Sequence, residues 1–416
     1  MQRRILITNF AIRDYTGSEI DSLDIANYFL KQDYKVDIFT LNFNEPLKSR
    51  VNKEISVYTY DDTDKLSTHY DLIWAHHFPL LDYLLFNKKI TATYINFVSL
   101  SSYEPLEFPP VYYKELSNIC LLSNEAKNIY EEKIDIKDSI IFPNYIPNEF
   151  LNSKPREIKK LDKICIISNH IPDELEKCAE IFNKEGIETD IYGMGHKWEK
   201  ITPEILKKYD LVITIGKSVL YSLYLKIPCF IYDHFGGDLF VNKNNISNSY
   251  DFNFSGRACK IKLNAEEIYK YIKENFEKSL DSIQDNYEFV VENCLLETNM
   301  KKVLKKVYEK KVNFETLFEK YGYLSNYTEP YVRDVFYRNN MHQIELSNNI
   351  KNLEKISRLT EQISTLSKER DEFYTQMVNM NKEITKIVNS KSWYITKPFR
   401  GVYRLFSKKN QNDNRE

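Results

Sequence analysis

Short apolar runs alternate with amphipathic stretches along most of the chain. Runs such as RILITNF at 4–10, KVDIFTL at 35–41 and DLIWA at 71–75 have the length and apolar content of buried strands. Between them, stretches such as SEIDSLDIANYFLKQ at 18–32 repeat apolar residues at the spacing of an amphipathic helix. Strands that alternate with helices predict an α/β protein with a parallel, doubly wound sheet.

One interruption of this alternation predicts a division into domains. Asn, Pro and charged residues replace the apolar runs at 144–160. A second α/β series then begins with KICIIS at 163–168 and closes with an expected strand at 258–263 and a helix at 265–278. We therefore expect two Rossmann-like domains that face a cleft. The expected bounds are 1–148 for the N-terminal domain, 149–162 for a linker, 163–285 for the C-terminal domain, and 286–340 for a helical segment that packs back on the body.

The residues after 340 follow a different pattern. The segment 341–390 has neither Pro nor Gly, and its apolar residues recur at alternating short spacings. This pattern predicts a coiled-coil helix and, through it, a homo-oligomer. The segment 391–409 is basic, and a short helix there would place its aromatic residues on one face. A basic amphipathic helix with aromatic residues is typical of an element that binds a membrane surface.

Composition excludes several classes of protein. The net charge is −2, so no general attraction to nucleic acid is expected. The 6 cysteines lack metal-ligand or redox spacing, which indicates reduced core residues of a cytoplasmic protein. No apolar run approaches the roughly 18 residues that a membrane span requires, and the first residues begin a strand instead of a signal peptide. We expect a cytoplasmic protein whose basic tail would hold it at the inner face of the cell membrane.

The stretch 209–238, YDLVITIGKSVLYSLYLKIPCFIYDHFGGD, has the strongest functional pattern in the chain. It reads as strand, glycine turn, helix, strand and glycine turn. Polar residues and glycines at the carboxyl ends of parallel strands form the ligand sites of open α/β sheets, and a helix N-terminus suits phosphate. The candidate ligand-binding residues are Gly193 and Gly195 after an earlier strand, Gly216, Lys217 and Ser218 at the helix start, and Asp233, His234, Gly236 and Gly237 after the second strand.

Three stretches give the chain a family resemblance. They are ILITNF followed by Gly17-Ser18-Glu19 and a helix, YGMG at 192–195 together with the 209–238 stretch, and SKSWYITKPFR at 390–400. In these the chain resembles bacterial glycosyltransferases of the GT-B type that build surface polysaccharides. The last stretch is similar to the SWR-[IL]-T-x-P-[LF]-R signature that follows many such enzymes.

The resemblance implies transfer of a sugar from a nucleoside diphosphate sugar onto a polysaccharide or a lipid-linked glycan. It implies that the C-terminal domain binds this donor and the N-terminal domain the acceptor. It also implies no cofactor and no metal, because this fold usually stabilises the diphosphate with amides, hydroxyls and a helix dipole. Many retaining members have a ribose-binding glutamate where this chain has Tyr221, so Tyr221 joins the donor-site candidates and the stereochemistry stays open.

Candidate acid–base residues follow the strands of the N-terminal domain. His76 and His77 come at the carboxyl end of a predicted strand, where an imidazole is suited to deprotonate an acceptor hydroxyl. Glu19 is a second candidate base, beside Gly17 and Asp14, which are candidate acceptor contacts. We predict His77 and Glu19 as the catalytic residues.

Other readings of the sequence stay open. Asp62-Thr63-Asp64 has the DxD form of the metal site in the other major glycosyltransferase fold, although Asp61 and Lys65 beside it indicate a solvated loop. Nucleotide-sugar epimerases and glycerol-phosphate polymerising transferases share the expected architecture. The non-enzymatic alternative is a coiled-coil scaffold with a degenerate body that binds sugar nucleotide without turnover, and Tyr221 in place of glutamate supports it.

Overall fold

The computed structural model describes residues 2–396, without the side chains of Leu346, Ile350 and Tyr394. The first part of the chain forms a sheet of 7 strands in which all neighbours are parallel. Its elements are β1 (Arg4–Asn9), α1 (Gly17–Lys31), β2 (Lys35–Thr40), β3 (Ser56–Tyr58), β4 (His69–Ala75), α2 (Phe78–Asp82), β5 (Thr91–Ser99), β6 (Asn118–Leu121), α3 (Asn124–Glu131) and β7 (Ile140–Ile141). The strand order is β3-β2-β1-β4-β5-β6-β7.

A second sheet follows, with 5 strands. Its elements are α4 (Asn148–Leu151), β8 (Lys163–Ile167), α5 (Asp173–Lys184), β9 (Glu188–Tyr192), α6 (Pro203–Leu206), β10 (Leu211–Thr214), α7 (Lys217–Tyr224), β11 (Cys229–Asp233), β12 (Gly236–Phe240), α8 (Ile246–Asp251) and α9 (Ala265–Leu280). The strand order is β12-β11-β10-β8-β9, and only β12 runs antiparallel to its neighbour. Two doubly wound α/β sheets confirm the predicted fold class.

Burial explains why the strand sequences are almost continuously apolar. In β1, Ile5 and Ile7 pack in a core on one face of the first sheet, and Leu6 packs in a core on the opposite face. Parallel strands that are covered by helices on both faces need apolar residues at every position. The second sheet has one core of its own, to which Ile164 and Ile213 contribute.

The chain returns to the first sheet after α9. Three helices carry it back: α10 (Ile283–Asn293), α11 (Leu296–Val307) and α12 (Phe314–Tyr321). Met300 and Val303 of α11 pack in the same core as Ile5, and Leu317 of α12 packs in the core on the opposite face. The helices α11 and α12 therefore stabilise the first sheet although they follow the second sheet in sequence.

The remaining helices are α13 (Ser325–Val388) and α14 (Lys391–Ile395). Contacts divide the chain into two compact units, one up to Asn339 and one from Asn340 onward, so the long helix passes from one unit into the next. In the second unit α13 has exposed apolar residues along its length. Among the described residues, no helix combines the length and apolarity that crossing a membrane would require.

Two sequence-based expectations differ from the structure. Residues 258–263 do not form a strand, because only Ile261 makes an isolated bridge, to Gly237. Gly236 and Gly237, expected in a turn, begin β12. The predicted membrane-binding tail at 391–409 lies outside the described residues from 397 onward, so only its first turns, in α14, are seen.

Candidate active site

Both sheets reverse their strand order beside their first strand. In the first sheet β1 lies between β2 and β4, and in the second sheet β8 lies between β9 and β10. In open α/β sheets, the crevice beyond the carboxyl ends of such strands binds ligands. The segments that follow β1, β4 and β10 carry the predicted site residues Gly17, His77 and Gly216.

A cavity of about 270 Å³ lies at this place. Its walls come from both halves of the first unit, the half that carries the first sheet and the half that carries the second sheet. We call it the donor cavity, after the role that we propose for it below. It brings together predicted site residues that are far apart in sequence, namely Gly17, Gly193, Lys217, Ser218 and Tyr221. The donor cavity is close to the lower end of the volumes found for small-molecule sites, roughly 300 Å³.

The helix α7 begins at the wall of the donor cavity. Gly216, its N-cap, has φ 67° and ψ −137°, a conformation that residues with a side chain rarely adopt. Its amide donates to the carbonyl of Phe254 at 2.9 Å, which fixes the approach of the chain to the helix. Lys217 and Ser218 follow in the first turn, where helix N–H groups lack partners within the helix and the dipole favours an anion.

Lys217 places a largely buried ammonium at this helix start. Its Nζ lies 3.2 Å from Oδ2 of Asp24, which belongs to α1 in the other half, and 4.2 Å from the centroid of the Tyr145 ring. Burial alone would lower the pKa of Lys217, but the groups of Tyr221, Asp24 and Asp21 outweigh it, and the pKa is raised. The ammonium therefore stays charged at neutral pH.

A buried polar network lies behind Lys217. Tyr145 donates its hydroxyl hydrogen bond to Oδ1 of Asp21 at 2.7 Å, and Nε2 of His76 lies 3.4 Å from Oδ2 of Asp21. Burial raises the pKa of Asp21, but His76 and Lys217 outweigh it, so the carboxylate stays ionised. His76 is fully buried in this network. Its environment is that of a structural histidine.

His77 has a strained backbone and two polar neighbours. Its φ of 62° is unusual for a residue with a side chain, and such strain is often found at functional sites. Nδ1 accepts a hydrogen bond from the amide of Phe10 at 3.2 Å, and Nε2 lies 3.4 Å from Oε1 of Glu107. An accepting Nδ1 places the proton of the neutral ring on Nε2. His77 does not line the donor cavity, and its catalytic role stays a prediction.

Glu19 holds the loop before α1. Its Oε2 accepts the amide hydrogen bonds of Arg13 at 2.5 Å and of Asp14 at 2.6 Å. Burial raises the pKa of Glu19 in spite of these bonds. Asp14 pairs with Arg13 at 2.9 Å. These contacts favour a structural role for Glu19, since one oxygen of its carboxylate, Oε2, already accepts two amides. Its predicted catalytic role stays a prediction.

The glycines after β9 are required for different reasons. A Cβ at Gly193 would stand 1.8 Å from the carbonyl oxygen of Ser168, so only glycine allows this approach to the end of β8. Gly195 has φ 84° and open space around it, and it does not line the donor cavity. Of this predicted pair, the structure brings Gly193 to the cavity wall.

The second glycine pair serves the packing of β12. A Cβ at Gly236 would meet the carbonyl of Ile261 at 2.7 Å, and one at Gly237 would meet that of Ile231 at 2.1 Å. The pair therefore allows close strand contacts, and neither residue lines the donor cavity. Asp233 and His234 do not line the donor cavity either. The amide of His234 donates a hydrogen bond to Oδ1 of Asp233 at 2.7 Å.

Several residues of the donor cavity carry no local sequence signal. Trp198 and Tyr15 both line it and make a tilted ring contact, with centroids 6.2 Å apart. Lys200, also on its wall, pairs with Glu149 at 2.9 Å. Tyr221, which was already a candidate from the family resemblance, stacks on Phe150, with centroids 4.4 Å apart.

A second cavity, of about 360 Å³, is lined by both halves of the same unit. Arg257 makes a two-bond ion pair with Glu125 at 2.7 and 2.6 Å, and its guanidinium lies about 5 Å from the ring centres of Tyr103 and Phe235. Both rings are exposed, and the cavity wall also includes hydroxyl and amide groups, among them Ser102. We call it the aromatic cavity. None of its residues was a sequence-based candidate.

The DxD stretch has an ordinary surface structure. Asp62 lies in a 3-10 turn at Tyr60–Lys65, and its Oδ1 is 2.6 Å from Nζ of Lys65. The hydrogen bond from Lys65 lowers the pKa of Asp62. This is the solvated loop that the flanking residues predicted.

Known structures place this architecture in a fold class. No protein-family model matches the sequence, and no curated protein matches it. The chain is similar to the crystal structure of TarM, with 10% identity, a TM-score of 0.50 and coverage of 74% of this chain and 99% of that one. It is also similar to a glycosyltransferase from Rickettsia africae, with 13% identity, a TM-score of 0.50 and coverage of 74% and 98%. The chain has the GT-B fold, with two Rossmann-like halves followed by a long helix.

Proposed function

We propose that the protein is a glycosyltransferase that takes its sugar from a nucleoside diphosphate sugar bound in the donor cavity. The observation that carries this proposal is the buried ammonium of Lys217 at the start of α7, on the cavity wall. A cation at a helix N-terminus suits a diphosphate, because both the charge and the free N–H groups favour an anion. Ser218 adds a hydroxyl beside it.

The reaction follows from this placement. An acceptor hydroxyl attacks the anomeric carbon of the donor sugar, the bond from that carbon to the diphosphate breaks, and the acceptor loses its proton. Negative charge then grows on the leaving diphosphate, where Lys217 and the first turn of α7 would stabilise it without a cofactor or a metal. His77 is the proposed base, and its Nδ1 takes the acceptor proton once it releases the hydrogen bond from the amide of Phe10. The orientation of attack stays open because Tyr221 replaces the expected glutamate.

We propose the aromatic cavity as the acceptor side of the site. The exposed rings of Tyr103 and Phe235 offer apolar faces for a sugar ring, and Ser102 and Asn253 offer hydrogen-bonding groups for its hydroxyls. A polysaccharide or a lipid-linked glycan is the proposed acceptor. Attachment to the inner membrane surface through the basic tail, and self-association through 341–390, would bring the enzyme to such a substrate.

The first test is a thermal shift of the full chain with UDP, GDP, CDP, ADP and dTDP, each with and without EDTA. A nucleotide at 100 times its Kd adds about 2.7 kcal/mol to the unfolding free energy, which is easily measured. One selective nucleotide whose effect survives EDTA would support the proposal. No stabilisation by any of the five would argue against a preformed donor site.

A second test separates donor from acceptor. Tyr103→Ala should raise the KM for the glycan acceptor and leave the nucleotide Kd unchanged, because Tyr103 lines only the aromatic cavity of the two. Tyr323→Ala, which replaces an exposed tyrosine elsewhere in the same unit, is the matched control. Equal acceptor KM values for both variants would contradict the acceptor assignment.

Tyr221 favours one alternative function. Its ring is buried against Phe150 in the place expected for a ribose-binding glutamate. A scaffold that binds sugar nucleotide without turnover would have no need of that carboxylate. Selective nucleotide binding with neither glycoside nor free epimer formed over long incubation would identify this alternative.

A further inference from the structure

The second unit carries an uninterrupted heptad pattern. From 356 to 387 the apolar residues of α13 recur at alternating spacings of three and four. The a positions are Ile356, Ile363, Arg370, Met377 and Ile384, and the d positions are Leu359, Leu366, Phe373, Met380 and Ile387. We call these ten residues the seam. Its nine apolar side chains are each between 47 and 72% exposed.

The period of the seam distinguishes a helix partner from a membrane. A straight helix drifts by about 20° per heptad against a seven-residue repeat, so the seam winds by roughly 80° between its first and last heptads. A flat lipid surface cannot cover a stripe that winds around the helix. A second helix can, because two helices supercoil and keep the seam between them.

Arg370 indicates the orientation of that partner. In a parallel pair each a position faces the same position of the partner, which would put two Arg370 guanidinium groups in one layer, where like charges repel. In an antiparallel pair a positions face d positions. With complete overlap, Ile356 faces the partner's Ile387, and Arg370 faces the partner's Phe373.

Arg370 and Phe373 lie on either side of the midpoint of the seam. Antiparallel overlap therefore pairs each guanidinium with an aromatic ring at the centre, which is a favourable cation–π geometry, and pairs apolar residues in every other layer. In the single chain, Arg370 bonds Oδ1 of Asp371 on its own helix at 2.7 Å, so its charge is also balanced locally.

We propose that α13 binds a second copy of this chain as an antiparallel, two-stranded coiled coil with the seam fully overlapped. A two-fold axis then passes between residues 371 and 372, and the same surface of each copy forms the interface. The proposal specifies the partner and direction of the self-association proposed above. It does not depend on which ligand the donor cavity holds.

Disulfide trapping in the full chain tests the direction of the helices. Cys259 is the one exposed cysteine of the described residues, so Cys259→Ser provides the background. Ile363→Cys and Met380→Cys are made separately, each with its own affinity tag. Mixing and oxidising the two variants should give a cross-linked dimer that carries both tags, while neither variant alone should cross-link. Lys382→Cys, on the outer face of the helix, is the control that stays uncross-linked.

The opposite pattern would overturn the proposal. Efficient cross-linking of Ile363→Cys with itself would mean a parallel pair. Light scattering should give the mass of two chains for the unmodified protein, and a monomer or a trimer would equally refute it. Nucleotide binding is measured on the same samples, and a failed donor assignment would appear there without changing the cross-linking pattern.

Discussion

Replacing Lys217 tests the proposed donor site most directly. In the wild type, the ammonium of Lys217 lies 3.2 Å from the carboxylate of Asp24. Lys217→Met keeps the apolar stem but removes the charge, so the carboxylate of Asp24 stays buried without its cation. Removal of one partner from a buried ion pair costs about 3 to 5 kcal/mol of unfolding free energy. Loss of a charged hydrogen bond to a phosphate costs about 1.5 to 3 kcal/mol of binding free energy, or roughly 10- to 150-fold in Kd.

A double variant separates the two roles of this lysine. In Asp24→Asn/Lys217→Met both charges are gone, so we expect the unfolding free energy to return to within about 1 kcal/mol of the wild type. Nucleotide binding should stay weak, because the cation for the diphosphate is still missing. If Lys217 had only a structural role, the double variant would regain its stability and its nucleotide affinity together.

Two measurements on the same preparations decide the matter. Urea unfolding gives the stability of each variant, and calorimetric titration with the nucleotide that the wild type selects gives the Kd. Lys163→Met is the control, because Lys163 pairs with Glu188 at 2.6 Å on the surface, where such pairs contribute about 1 kcal/mol or less. Wild-type nucleotide affinity in the double variant would refute the diphosphate role of Lys217.

The remaining predictions concern backbone fit and one buried carboxyl. Gly193→Ala should lower the Tm more than Gly216→Ala: a positive φ strains alanine at both positions, but only at Gly193 would a Cβ also clash, 1.8 Å from the carbonyl oxygen of Ser168. Equal Tm values would contradict the packing. Burial raises the pKa of Asp82 to about 7 from 3.8. The contribution of this group to the unfolding free energy is therefore fully present below about pH 4, and roughly 4 kcal/mol of it is lost by pH 7. Asp82→Asn should remove this dependence in urea unfolding from pH 4 to 8, and an unchanged slope would contradict it.

Local pattern was sufficient to predict the fold class. Strands such as β1 and β10 are apolar at nearly every position because helices cover both sheet faces, and that requirement is visible in sequence. The failure at 258–263 has a physical cause. Its apolar residues resemble a strand, but only Ile261 pairs with a strand, through an isolated bridge to Gly237 of the antiparallel β12, which was expected to be a turn.

The candidate site also contains residues that the sequence could predict and residues that it could not. Gly193 and Lys217 follow strands and carry local signals, so both were predicted. Asp24 lies in an amphipathic helix where a carboxylate is unremarkable, and its pairing with Lys217 joins residues that are 193 positions apart. Arg257 and Tyr103 likewise meet only through the tertiary fold. Long-range partners of this kind leave no trace in the spacing of a single sequence.

The placement of the tryptophans gives this protein an optical reporter of its own. Trp74 is fully buried in the core of the first sheet, so its emission stays constant while the fold is intact. Trp198, on the wall of the donor cavity and 40% exposed, is the residue whose surroundings change when a ligand displaces water there. Intrinsic fluorescence of Trp393→Phe, which removes the emission from α14, would then follow the filling of the cavity in real time without any attached dye.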